Sequence, residues 1–115
     1  MKYKCFEVSF SNNIAHVVMN RPEKRNAMVK DFWTELPAII RDIDDNSKAR
    51  VIVISSTGPV FSAGIDIGMF ASDIGGSSDK NSPQYGLEFY NNNVLPLQNS
   101  FTALEQCRIP VIAAV

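Results

Sequence analysis

Val51-Ile52-Val53-Ile54-Ser55-Ser56-Thr57-Gly58-Pro59-Val60-Phe61-Ser62-Ala63-Gly64-Ile65-Asp66 carries the chain from a strand through a turn to the start of a helix. Val51 to Ile54 form an apolar run that reads as a short buried strand. Ser55 to Pro59 break it, since Gly and Pro mark turns. Asp66 falls where a helix N-cap belongs, ahead of Ile67, Met69, Phe70 and Ala71. Gly64 permits close backbone approach. Helix starts carry unpaired N–H groups and a positive partial charge, so this stretch suits an anion or a developing oxyanion.

Upstream, Cys5 to Phe10 alternate in part, Ser11-Asn12-Asn13 is a turn cluster, and Ile14 to Met19 is apolar again. That pattern predicts an antiparallel hairpin. Asn20 to Asn26 is a polar loop stiffened by Pro22. From Ala27 the period changes: Met28, Phe32, Leu36, Ile39, Ile40 and Ile43 recur at helical spacing, with Pro37 expected to kink or split the helix. Asp44 to Ser47 end it. Hairpin, helix and strand together predict an α/β layered fold.

Downstream, Gly75 to Pro83 reads as a flexible Gly/Ser-rich loop. Tyr85, Phe89, Val94, Leu97, Phe101 and Leu104 predict a second helix, with Pro96 as a kink. Ile109 to Val115 close the chain in a buried-strand pattern without a turn or cap, so we expect a chain cut off in mid-domain.

The composition excludes several functions. The 115 residues are 45% hydrophobic and 20% charged with a net charge of −1, ordinary for one globular domain and without the basic excess of a nucleic-acid binder. No apolar run reaches the roughly 18–20 residues that span a bilayer, and the N-terminus lacks a signal-peptide core. Cys5 and Cys107 are unpatterned and read as two reduced thiols. His16 is the only histidine, which argues against a His-based metal centre or triad. We read His16 as a packed or edge residue, Phe32 and Trp33 as core, and Glu88 and Glu105 as a solvated face.

Met19-Asn20-Arg21-Pro22-Glu23-Lys24-Arg25-Asn26-Ala27-Met28, followed by Phe61-Ser62-Ala63-Gly64-Ile65-Asp66, resembles the enoyl-CoA hydratase/isomerase (crotonase) superfamily. The likeness continues through Ile109 to Val115. Within it, Lys24 to Met28 with Phe32-Trp33, and Ser62 to Asp66 with Met69 and Ala71 to Ile74, resemble the Δ3,5-Δ2,4-dienoyl-CoA isomerases.

The resemblance implies a crotonase-like (ClpP/crotonase) spiral fold of ββα type, truncated, with residues 1–115 as the N-terminal part of a single domain. It implies an acyl-CoA substrate, no metal and no separate cofactor, since CoA is part of the substrate. Arg25 and Ala27 become CoA contacts by position, and Ser62, Ala63, Gly64, Ile65 and Asp66 curl around the adenine and the thioester. The backbone N–H of Ile65 becomes one of two oxyanion-hole donors. A thioester carbonyl turning into an enolate builds charge on oxygen, and removing such a donor costs about 3–4 kcal/mol in the barrier.

Family members run to roughly twice this length, and their second donor and proton-moving carboxylates match positions beyond Val115. The resemblance therefore implies part of an isomerase of 3,5-dienoyl-CoA to 2,4-dienoyl-CoA in fatty-acid β-oxidation. The alternatives are an enoyl-CoA hydratase-type enzyme, a truncated non-catalytic CoA-thioester binder, and an incomplete domain that cannot fold alone. It also implies a homotrimer or hexamer in a mitochondrion or peroxisome, with neither nucleic acid nor membrane as partner. Asp66 as a general base is weaker than Asp66 as an N-cap. Lys24 and Arg25 are either a solvated pair or phosphate ligands.

Overall fold

The computed structural model describes residues 2–68 and 83–115. Strand β1 (Phe6–Ser11) pairs antiparallel with β2 (Ile14–Met19). Asn12 and Asn13 join them at φ 51° and 65°, the left-handed pair that a two-residue hairpin turn demands and Asn tolerates. Helix α1 (Lys30–Asp45) then crosses over to β3 (Val51–Ser56), which runs parallel to β2. A second crossover contains α2 (Pro83–Phe89), a π-helical segment (Tyr90–Val94) and α3 (Leu95–Gln106), and leads to β4 (Val111–Ala113), parallel to β3. The sheet order is β1-β2-β3-β4. The α/β expectation holds.

Alternation in β2 decides which face is covered. Ala15, Val17 and Met19 are buried, while Ile14, His16 and Val18 are half-buried on the other face. His16 thus lies on an inner strand, with Nε2 3.4 Å from Ser11 Oγ. The covered face packs against Phe32, Trp33, Leu36, Ile39, Ile40 and Ile43, the whole stripe of α1. An aromatic chain continues outward: Phe6 to Phe32 at 5.1 Å, Phe32 to Trp33 at 5.3 Å, and Trp33 to Phe101 of α3 at 5.2 Å. Glu88 and Glu105 are exposed, as expected of a solvated face.

Prolines account for three differences from the sequence reading. Pro37 does not split α1, which runs from Lys30 to Asp45. Lacking an N–H, it leaves the Trp33 carbonyl without its helical partner. The buried Ser100 of α3 takes over, its Oγ–H donating to Trp33 O at 2.6 Å. The irregularity expected at Pro96 falls just before it: the chain widens to i→i−5 bonding, with Leu95 N–H donating to Tyr90 O. Pro83 belongs to α2 rather than to a loop. The rest of the expected flexible loop, Gly75 to Ser82, lies outside the described residues.

Two further corrections concern the chain's edges. Met28 is not part of the helix; it pairs with Ile65 instead. The closing strand is an edge rather than a buried strand: β4 has three residues, Ile112 is 54% exposed and Val115 is 96% exposed. Among the described residues only its β3 side is paired, with Ala114 N–H donating to Ile54 O at 2.8 Å.

Polar contacts tie α1 to the segments around it. The Glu35 carboxylate accepts the N–H groups of Lys4 (2.8 Å) and Cys5 (2.9 Å), anchoring the segment that enters β1. Arg108 binds Asp44 at 2.8 Å, tying the approach to β4 to the end of α1. Both cysteines are free thiols, and burial, followed by the Glu35 charge, pushes the Cys5 thiol up to about 11.

Candidate active site

Two loops meet beyond the ends of β2 and β3. The first, 20–28, begins with a 3-10 turn (Pro22–Lys24) and then passes Arg25 and Asn26 at φ 52° and 54°. Two consecutive left-handed residues reverse the chain sharply, and Asn carries the conformation at low cost. The second is the β3-to-Asp66 turn, where Gly58 sits at φ 80°; a Cβ there would come within 2.9 Å of Pro22 Cβ. Only glycine allows that approach.

Asn26 joins the loops. It is 3% exposed, and both its amide oxygen and its amide nitrogen are bonded. Oδ1 accepts the Arg21 N–H at 2.8 Å, while Nδ2 donates to Thr57 O at 2.7 Å and Val60 O at 3.1 Å. Its carbonyl accepts the Ser62 hydroxyl at 2.9 Å, and Ser62 Oγ in turn accepts the Gly64 N–H at 3.1 Å. Main-chain bonds complete the joint: Ala63 N–H to Arg25 O at 2.9 Å, Met28 N–H to Gly64 O at 2.8 Å, and Asp66 N–H to Met28 O at 2.9 Å.

This last pair is a parallel bridge between Met28 and Ile65. In such a bridge, the residue giving both its groups to the partner faces a residue whose own N–H and C=O point the other way. Met28 is the giver. Among the described residues, the Ile65 N–H forms no hydrogen bond. It therefore leaves the joint on the side away from Met28, held in direction by its neighbours.

Asp66 does what an N-cap does: Oδ1 accepts the Gly68 N–H at 2.8 Å, and Ile67 and Gly68 are helical. Arg25 and Ala63 are exposed, and Ala27 is half-buried. Beside the joint lies an apolar cavity of about 150 Å³, lined by Met28, Phe61 and Ser62, by Phe32, Leu36 and Phe101 of the helices, and by Ile54 and Ala113 of the sheet.

A family model described as enoyl-CoA hydratase/isomerase matches residues 9–115. The chain belongs to that family. Its fold is the crotonase fold. An enoyl-CoA hydratase/isomerase from Xanthobacter autotrophicus Py2 superposes with a TM-score of 0.82 at 19% identity, over 99% of this chain and 39% of that one. An enoyl-CoA hydratase from Mycobacterium smegmatis superposes with a TM-score of 0.77 at 24% identity, over 96% and 39%.

Curated relatives carry a narrower name. The chain is 35% identical to a peroxisomal Δ3,5-Δ2,4-dienoyl-CoA isomerase of Arabidopsis thaliana, over 98% of this chain and 42% of that protein. It is 39% identical to the human mitochondrial Δ3,5-Δ2,4-dienoyl-CoA isomerase, over 93% and 32%. The chain thus spans about two fifths or less of the length of these relatives.

The structure brings Arg25, Ala27 and Ser62 to Asp66 together in one joint. Sequence reading passed over Asn26, which lies between two residues it chose. The available signal was the residue type, since Asn is enriched in left-handed backbone and can satisfy three groups at once. Among the described residues no group of His, Cys, Asp and Glu could hold a metal, and no helix is long and apolar enough to cross a membrane.

Proposed function

We propose that this chain supplies the CoA-thioester-binding and oxyanion-stabilising part of an enzyme that isomerises 3,5-dienoyl-CoA to 2,4-dienoyl-CoA in fatty-acid β-oxidation. In this reading residues 1–115 form the N-terminal part of a single domain. The observation that carries the reading is the Ile65 N–H, directed out of the Met28 bridge and held by a rigid joint. A thioester oxygen gaining negative charge strengthens its bond to such a donor, and no reorganisation is needed as it does.

The surroundings support the same reading. The apolar cavity beside Met28 and Ser62 offers room for part of an acyl chain. Arg25 is exposed at the mouth of the loop, where a guanidinium can fork onto phosphate oxygens of CoA. We assign Ala27 and main-chain groups from Ser62 to Asp66 to the remaining CoA contacts, by their place in the joint. Ser62 contributes through its backbone, since its hydroxyl is already engaged on both sides. The dienoyl-CoA isomerase relatives at 35% and 39% identity favour isomerisation over hydration, against 27% for a mycobacterial enoyl-CoA hydratase relative. Relatives named mitochondrial and peroxisomal favour one of those compartments. CoA arrives with the substrate, the proton transfers of this isomerisation need no further cofactor, and a homotrimer or hexamer is the assembly we assign to the whole protein.

The test uses 2,4-dienoyl-CoA, whose conjugated carbonyl absorbs to the red when a donor polarises it. Wild type and Ile65→Ala, which both keep the N–H, should bind and red-shift the ligand. Ile65→Pro, which removes the N–H along with the side chain that Ile65→Ala also shortens, should lose the shift. An equal shift in Ile65→Pro, with its urea midpoint unchanged, would refute the assignment.

A further inference from the structure

We infer that Ser62 is a positioning residue for the oxyanion donor, acting through Gly64 rather than on the substrate. The inference rests on the proposed role of the Ile65 N–H. The direction of that N–H is set by the peptide plane it shares with the Gly64 carbonyl, to which it points opposite in a trans peptide. Two bonds hold the residue bearing that carbonyl. Met28 N–H donates to Gly64 O at 2.8 Å, and Gly64 N–H donates to Ser62 Oγ at 3.1 Å.

Gly64 needs both restraints. It sits at φ 93°, and a Cβ there would meet nothing within 4 Å, so packing does not fix its rotation. Glycine has the broadest backbone freedom of any residue. The hydroxyl of Ser62 takes up that freedom, and Ser62 is in turn held because its proton goes to Asn26 O at 2.9 Å. Asn26 is buried in a left-handed conformation and bound to both loops. A directed run of bonds thus leads from the main-chain carbonyl of the buried Asn26 through one hydroxyl to the Gly64 N–H, across the Gly64 Cα from the peptide that aims the donor. A hydroxyl is the simplest side chain that can donate to one partner and accept from the other.

The experiment compares wild type, Ser62→Ala, Ser62→Cys and Ser62→Thr with 2,4-dienoyl-CoA, reading dissociation constant and red shift separately. Ser62→Ala should bind within about threefold of wild type, since the contacts to CoA remain, yet lose most of the red shift. Ser62→Cys, a weak donor and acceptor, should fall between, and Ser62→Thr should restore the shift. In the free chain, 15N relaxation at Ile65 should report a rigid amide, with an order parameter near about 0.85 in wild type and Ser62→Thr, falling toward about 0.6 in Ser62→Ala. The relaxation reading stands without ligand, and Ser62→Cys carries the comparison if Ser62→Ala melts too early. A full red shift and a rigid Ile65 amide in Ser62→Ala would overturn the inference and leave the donor assignment intact. No red shift in wild type would overturn the donor assignment, and the inference with it.

Discussion

The contact between Ser100 and the Trp33 carbonyl gives a double-mutant cycle its cleanest test. Pro37 removes the N–H that would bond Trp33 O, and the buried Ser100 hydroxyl replaces it at 2.6 Å. Ser100→Ala should therefore forfeit a net hydrogen bond and strand a buried carbonyl, about 2 kcal/mol together. Pro37→Ala restores an N–H at the right place. It gains part of the roughly 3 kcal/mol that separates Pro from Ala inside a helix and gives back about 0.4–1 kcal/mol through a freer unfolded chain. In that background the Trp33 carbonyl has a helical partner again. Ser100→Ala should then cost only about 0.5–1 kcal/mol, leaving a coupling of about 1–1.5 kcal/mol. Urea melts of the four proteins, followed by the fluorescence of Trp33, the single tryptophan, measure every corner. Equal costs of Ser100→Ala in both backgrounds, within about 0.5 kcal/mol, would refute the idea that proline and serine compensate each other.

Two other perturbations follow from the joint and the core. Asn26→Ala removes three side-chain hydrogen bonds and places Ala at φ 54°, so it should cost about 3–4 kcal/mol, with Asn26→Gly recovering about 1 kcal/mol of that; a loss below about 1 kcal/mol by urea melt would count against the joint as described. Cys5 has its thiol raised from 9.0 to about 11. The native state then keeps a proton that the unfolded chain releases, so its contribution to stability is complete below pH 9 and is lost as pH rises toward 11. Urea midpoints of wild type should therefore fall relative to those of Cys5→Ala across that window, and a pH-independent difference would contradict it.

Element types were legible because each rests on local periodicity. The apolar stripe from Phe32 to Ile43 could only be a helix, and Asn12-Asn13 between two apolar runs could only be a tight hairpin turn. What escaped the sequence depends on partners far along the chain. Met28 has helical spacing to Phe32, but its N–H and C=O are taken by Gly64 and Asp66. Pro37 reads as a helix breaker until Ser100, distant in sequence, supplies the missing donor. Val111 to Val115 have the composition of a core strand, yet composition does not say how many neighbours a strand has. At the candidate site the turn residues were legible and their binder was not, since a buried Asn in a polar loop looks like any other loop residue.

The bridge between Met28 and Ile65 has a consequence for how the site can be inherited. The side chain of Ile65 packs against the apolar core, while its N–H leaves the bridge on the side away from Met28. One codon therefore carries two separable traits. Any residue but proline keeps this N–H, so substitutions at this position change the packing against the core without touching the polar group. Descendants of such a chain can drift in the packing of this side chain along a path on which the main-chain group is never interrupted.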